Sequence, residues 1–245
     1  MTIKTLIRKA IRFMGFDLTR IPVKRVSNAL SQWNPGNLDE SLKALPFSQE
    51  AIKKLVNDFE FRSVLDIGSG AGAHTDYFVS KGKKVTAVDF GTSIYFERRT
   101  SNYTCIKGDF LKIPFKETYD CIWASHVLEH QLNVHQFLQK CLGCCKPGGL
   151  IAITVPPRKD QLVGGHLTLW TPGLLIYNLV MAGLDCSDAS MLTYGYNISV
   201  ITRNVQRYNV ELDFDCGDIN LLQPFFPKCF TEGKSGWIEE FNWKH

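Results

Sequence analysis

The run Val64-Leu65-Asp66-Ile67-Gly68-Ser69-Gly70-Ala71-Gly72 sets three glycines at alternate positions just after a short apolar stretch. Glycine lets the chain turn where a side chain would clash, and it lets a ligand approach the backbone. A helix starting there would add free N–H groups. Asp89 closes a second apolar stretch, 23 residues after Asp66 and 17 after Gly72. An acid at that place can accept hydrogen bonds from both hydroxyls of a ribose. Asp109 and Phe110 follow a third stretch. Asp109 there could accept from an exocyclic amine, with Phe110 beside a purine ring and Phe90 as a further stacking face. Together these residues describe an adenosine pocket. NAD, FAD and nucleotide sites all use such a loop. The tight G-x-G-x-G disfavours a dinucleotide, whose pyrophosphate uses the longer G-x-G-x-x-G.

Histidines supply the candidate acid–base chemistry. His126 and His130 lie in Ala124-Ser-His-Val-Leu-Glu-His130, and His166 lies in Gly164-Gly-His-Leu-Thr-Leu-Trp170. Imidazole titrates near neutral pH and suits a general base for a hydroxyl nucleophile. Each also has a structural reading, loop fixing above all for His130. Tyr194 and Tyr196 are candidates to face the same pocket. His74 opens the helix after the glycine loop and caps it or lines the ligand. Asp66 has an alternative role holding the loop, and Asp109 an alternative role in a turn.

The elements that must position these groups follow from periodicity. Short apolar runs at Ser63–Ile67, Lys84–Asp89, Tyr103–Ile106, Asp120–Ala124 and Gly149–Val155 read as buried strands. Helical stretches fit between them around 74–81, 92–99 and 132–144. Strands alternating with helices imply βαβ units and a parallel sheet covered on both faces. Thr171 to Ala182 reads as a helix with Pro172 in its first turn and Gly183 at its end. Cys186–Leu192 and Ile198–Thr202 read as two strands joined at Tyr194-Gly195-Tyr196. In an open α/β sheet, ligands bind outside the carboxyl ends of the strands. The glycine loop and all three histidines fall at that edge.

The chain has 245 residues and a formal charge of +4. Residues 1–25 carry seven Lys/Arg and one acid, leaving 21 basic against 23 acidic residues in the rest. A slightly acidic body argues against a nucleic-acid-binding face. Ile3, Leu6, Ile7, Ala10, Ile11 and Met14 recur at helical spacing among the basic residues. This is a basic amphipathic helix, too short to span a bilayer. It would lie on an anionic membrane surface or dock on the domain. Trp33-Asn34-Pro35-Gly36 marks a turn, and Ser48 is placed to cap a helix over 48–59. Residues 1–25, 26–59, 60–205 and 206–245 thus divide into basic helix, helical cap, core, and a C-terminal cap or tail. The eight cysteines include one C-x-x-C, Cys141 to Cys144, without the second pair that a structural zinc site needs. They read as small hydrophobes in a reducing cytoplasm. No clustered Asp/Glu/His ligand set is evident along the chain, so no metal is expected.

The segments VLDIGSGAG, VTAVD, GDF, YDCIWASHVLEH and KPGGLIAITVP, in this order over residues 60–205, resemble the class I methyltransferases. They are most similar to the large group typified by small-molecule and ubiquinone-pathway enzymes. The resemblance implies a Rossmann-like α/β fold, a doubly wound seven-stranded sheet whose last strand is antiparallel. It implies S-adenosyl-L-methionine as cofactor. Asp66, Gly68, Gly70 and Gly72 would surround its methionine portion, with Ser69 and His74 beside them. Asp89 would hold the ribose, Asp109 and Phe110 the adenine, and Ser125 and His126 would lie near the cofactor. It favours a small acceptor methylated at oxygen or carbon. Methyltransferases of bacterial surface-glycan assembly look similar, which with the basic helix suggests O-methylation of a sugar in a surface polysaccharide or its lipid-linked precursor. A soluble-metabolite methyltransferase, an NAD-dependent oxidoreductase and a non-catalytic cofactor-binding protein are the alternatives.

Overall fold

The structure, a computed structural model, describes residues 38–228 and 239–243. The expected basic helix over 1–25 and the turn at Trp33 lie outside the described residues. Short helix α1 (Glu40–Lys43) leads into α2 (Gln49–Asp58). Strand β1 (Ser63–Ile67), helix α3 (Ala73–Ser80), strand β2 (Lys84–Asp89), helix α4 (Ile94–Glu97) and strand β3 (Cys105–Lys107) follow. Next come β4 (Tyr119–Ser125), a 3-10 turn (Leu128–His130), α5 (Val134–Cys144), β5 (Cys145–Val155) and α6 (Pro172–Met181). The chain closes with β6 (Ser190–Tyr194), β7 (Asn197–Arg203), α7 (Asp218–Leu222) and β8 (Glu240–Phe241).

The strands form one sheet in the order β3-β2-β1-β4-β5-β7-β6-β8. The first five are parallel, and β7 runs antiparallel between β5 and β6. The expected open α/β sheet with an antiparallel seventh strand is therefore present. The strand count is a correction: eight rather than seven, because Glu240 and Phe241 pair antiparallel with Leu192 and Met191. Two residues are too few to show a period of two. The first strand of the hairpin also starts later than its apolar run, because Cys186 turns back to accept from Ala189 N (3.0 Å).

Alternation along each strand splits the core into two layers. On β1, Leu65 and Ile67 join the cluster packed by α5 and α6, with Leu138, Leu175 and Leu179. Val64 joins the opposite cluster with Ile52, Leu55 and Phe78 of α2 and α3. Each such fully buried aliphatic side chain contributes about 1.5–3 kcal/mol. Cys121, Cys141, Cys144, Cys145 and Cys186 are buried as small hydrophobes, and burial raises each thiol's pKa. Thr171 caps α6 through its side chain, with Pro172 in the first turn. No helix among the described residues is long and apolar enough to cross a membrane.

Candidate active site

The glycine loop leaves β1 at the carboxyl edge of the sheet. Gly68, Gly70 and Gly72 all have positive φ, at 73°, 47° and 90°. At Gly68 the need is steric as well, since a Cβ would fall 2.3 Å from Val127 Cγ2. Gly68 N and Ser69 N donate to Val88 O (2.8 and 3.1 Å), which locks the loop onto β2. Asp89 reinforces it, accepting from Gly70 N at Oδ2 (2.9 Å) and from Gly91 N at Oδ1 (2.8 Å). Arg99 lies across the outside, donating to Ser69 Oγ (3.2 Å) and Gly70 O (3.0 Å). Each carboxylate oxygen of Asp89 keeps a second lone pair for a ribose hydroxyl. Phe90, 61% exposed next to it, leaves an aromatic face open.

Three residues assigned to the cofactor turn out to be committed elsewhere. Phe110 is buried in the core against Phe137 (5.3 Å between ring centroids) and Phe115 (5.8 Å), so it is not free to lie beside a purine. Asp109 is engaged in its own turn, accepting from Leu111 N (3.0 Å) and pairing with Lys112 (3.3 Å). His74 donates through Nε2 to Phe47 O (3.0 Å) and accepts at Nδ1 from Trp123 Nε1 (3.2 Å). Both ring nitrogens are used, and desolvation lowers its pKa to about 4 although part of its surface stays accessible. Asp66 is buried and accepts from Thr75 Oγ1 (2.6 Å), which ties β1 to α3. Desolvation raises its pKa to about 6, against the Thr75 hydrogen bond.

The three candidate histidines are gathered around a group that the sequence reading passed over, Glu129. Its side chain is buried, and among the described residues neither carboxylate oxygen has a hydrogen-bond partner. His126 Nδ1 stands 3.4 Å from Glu129 Oε1, and His130 Nε2 stands 3.8 Å from it. His166 meets His130 edge-on, with ring centroids 5.1 Å apart. Ligand atoms of Glu129, His130 and His166 lie within 4.8 Å of one another, so this set could hold a cation. Spacing along the chain did not disclose that cluster, because His166 arrives from a separate loop.

His126 is held on every side. Its ring stacks on Phe47 (4.2 Å), and its Nε2 donates to Asn197 Oδ1 (3.0 Å). The Asn197 amide is oriented by Ser48 N, which donates to Oδ1, and by Tyr194 O, which accepts from Nδ2 (both 3.3 Å). Ser48 Oγ and Ser125 Oγ lie 2.7 Å apart. Ser48 and His126 both adopt left-handed backbone, φ 61° and 55°. Such conformations cost about 1–3 kcal/mol each and concentrate at functional sites. Ser48 therefore precedes α2 without capping it through its side chain. His130 differs: its Nδ1 donates to Gly165 O (2.7 Å) and the residue is exposed. In the neutral ring the lone pair is then on Nε2. Burial lowers the pKa of His166, keeping it neutral to a lower pH. Tyr194 is in the core, its hydroxyl 3.1 Å from Ser199 Oγ, and does not face the site. Tyr196 does, 6.0 Å from His126.

Residues 65–153 match a family described as a methyltransferase domain. That stretch, from β1 to β5, is thus similar to a methyltransferase domain, and the sheet shares its fold with solved SAM-dependent methyltransferases. Among similar curated proteins, the ubiquinone biosynthesis O-methyltransferase of Bordetella avium is 27% identical over 53% of this chain and 57% of its own length. The protein of the same description from Glaesserella parasuis is 25% identical over 80% of this chain and 93% of its own. The match thus spans little more than half the length of the Bordetella relative. Among solved structures, a SAM-dependent methyltransferase from Aquifex aeolicus aligns with a TM-score of 0.52 and 20% identity, covering 67% of this chain and 97% of that one. One from Archaeoglobus fulgidus aligns with a TM-score of 0.52 and 16% identity, covering 64% and 90%. These likenesses concern the fold. The glycine loop, Asp89 and the exposed Phe90 lie together at the carboxyl edge of this domain, where the resemblance expects the cofactor.

Proposed function

We propose that the chain transfers a methyl group from S-adenosylmethionine to an oxygen of a small or lipid-linked acceptor, such as a sugar of a surface polysaccharide. The observation that carries the choice of oxygen is the fixed tautomer of His130, with Nδ1 bound to Gly165 O (2.7 Å) and Nε2 left as the basic atom. A hydroxyl must lose its proton when it is methylated, and a positioned base contributes roughly 10²–10⁴-fold. His166 stands beside it as a second proton acceptor. The bound cofactor supplies a methyl already activated by a positive sulfur. What remains for the protein is alignment, worth about 7–11 kcal/mol at the extreme, and exclusion of water. Phe47, stacked on His126, closes one side of the edge. Leu132, Leu162, Leu167 and Leu169 are exposed around the histidine cluster, which supports an acceptor carried on a lipid. The relatives named O-methyltransferases point to the same atom.

The test is transfer of a labelled methyl from the cofactor to a panel of sugar and lipid-linked sugar acceptors. His130→Gln should lower kcat about a hundredfold while S-adenosylhomocysteine binds as in the wild type. Full kcat in that variant would remove the base and the argument for oxygen. Equal rates on water-soluble acceptors with and without a lipid carrier would favour a soluble metabolite instead.

A further inference from the structure

A second feature of the carboxyl edge lies beyond β5. Pro157 and Trp170 form a parallel bridge, and Arg158 N donates to Trp170 O (2.8 Å). The segment leaving β5 and the segment entering α6 therefore run side by side. Between them is an enclosed space of about 10 Å³, lined in part by Arg158, Lys159, His166, Thr168, Trp170 and Tyr196. It has room for about one water-sized or oxygen-sized atom. Trp170 is 2% exposed, and its indole Nε1–H has no hydrogen-bond partner among the described residues. An indole nitrogen only donates, and leaving it unmet in the interior costs about 1–3 kcal/mol. The position calls for an acceptor atom.

The rim is cationic. Lys159 Nζ sits 4.0 Å over the Tyr196 ring. Among the described residues Arg158 pairs with Asp160, a contact of 3.2 Å between exposed side chains. Such a pair contributes little and is readily exchanged. A buried donor and two cationic residues lining one small cavity form a set suited to a charged oxygen, since charge-assisted hydrogen bonds are about twice as strong as neutral ones.

We propose that this cavity is an oxyanion subsite, taking one carboxylate or phosphate oxygen of the acceptor on Trp170 Nε1 while Lys159 and Arg158 hold the remaining charge. The inference rests on reading this edge as the acceptor side of a methyltransferase. It adds that the acceptor is an acid, a sugar acid or a sugar phosphate rather than a neutral sugar. His166 belongs to both the cavity and the histidine cluster, so an acceptor anchored here has its hydroxyls next to the bases.

The test is an indole ¹⁵N–¹H spectrum of the full chain. The Trp170 signal is assigned by Trp170→Phe or, if that variant does not fold, by its contacts to Pro157. Sodium phosphate and sodium glucuronate are titrated in separate arms at constant ionic strength, with glucose as the neutral control. A saturable downfield shift of the Trp170 Nε1–H at millimolar anion is expected, with none from glucose. The tighter arm distinguishes phosphate from carboxylate. Lys159→Ala and Arg158→Ala, both at the surface, should each weaken binding about tenfold. No shift with either anion, or wild-type affinity in both variants, overturns the proposal. Calorimetry with S-adenosylhomocysteine on the same sample separates the two readings. Cofactor binding without an anion shift sinks the subsite alone, whereas an anion shift without cofactor binding sinks the methyltransferase reading.

Discussion

The two edges of the sheet handle a carboxylate in opposite ways. At the amino edge, Asp120 accepts from Arg62 N, Ser63 N, Ser63 Oγ and Lys146 Nζ, at 2.7 to 3.0 Å. Burial alone would raise its pKa, but those bonds hold it well below the usual carboxylate range. A polar cleft of about 740 Å³ opens there, lined by Arg62, Lys84, Glu117, Asp120 and Lys146 among others, with Lys84 paired to Glu117 and Lys146 to Asp120. At the carboxyl edge, Glu129 is buried with no hydrogen bond to either oxygen among the described residues. Two neighbouring residues, Ser48 and His126, have left-handed backbone. The larger cleft is thus the satisfied one, and the unmet polar groups gather at the edge proposed for the chemistry. Cavity size alone would point to the wrong edge. Unmet polar groups and backbone strain mark functional surfaces because folding does not select for them.

The largest effect that could break this contrast is at the glycine loop. Gly68→Ala would put a Cβ into Val127 on a backbone of φ 73°. Strain and overpacking together cost about 2–5 kcal/mol. Calorimetry should show no measurable S-adenosylhomocysteine binding, and an unaffected isotherm would mean the loop does not shape the site. Asp89→Ala should weaken the same binding by about 2 kcal/mol or more, through lost charge-assisted hydrogen bonds.

A second effect is electrostatic. The His74 pKa is lowered from 6.5 to about 4, so the fold binds fewer protons there than the unfolded chain. Its stabilisation is complete above pH 6.5 and is lost as pH falls towards 4. The Asp66 pKa is raised from 3.8 to about 6, so the fold binds more protons there, and this stabilises increasingly as pH falls from 6 towards 3.8. Each is worth about 3 kcal/mol, and the two oppose each other over nearly the same window. Asp66→Asn should leave the His74 effect uncompensated. Denaturant titrations of that variant should then show stability falling more steeply than wild type between pH 6 and 4. Parallel profiles would refute the opposition.

The amino edge supplies the third comparison. Asp120→Ala should cost about 2 kcal/mol of stability. Because the Asp120 pKa is lowered in the fold, that loss should be full at neutral pH and shrink as pH drops below about 4. Cofactor binding should be unchanged. Glu129→Gln is the mirror image and the smallest in stability. Glutamine keeps the side chain's shape and brings an N–H that His126 Nδ1, 3.4 Å from Glu129 Oε1, can accept, so the melting point should stay equal or stability rise by about 1 kcal/mol, while methyl transfer falls. A Glu129→Gln variant less stable than Asp120→Ala would erase the distinction between the edges.

Much of the frame was legible in the residues. Short apolar runs located the five parallel strands, because a strand covered on both faces is built mainly of apolar side chains. The glycine loop and Asp89 were legible because positive φ and a strand-end acid leave one-letter signatures. Phe110 and Tyr194 were misplaced because an aromatic beside a motif has the same letter whether it faces a ligand or the core. Glu129 was passed over between two histidines, since its burial depends on loops from residues 163–168 that reach it only in the fold. The sequence by itself determined the local items: strand periods, the turn-permitting glycines, the capped helix after Thr171. Only the tertiary structure decided which polar groups end up paired, because Asp120 with Lys146, Asn197 with His126 and His166 with His130 meet across separations that no local spacing encodes.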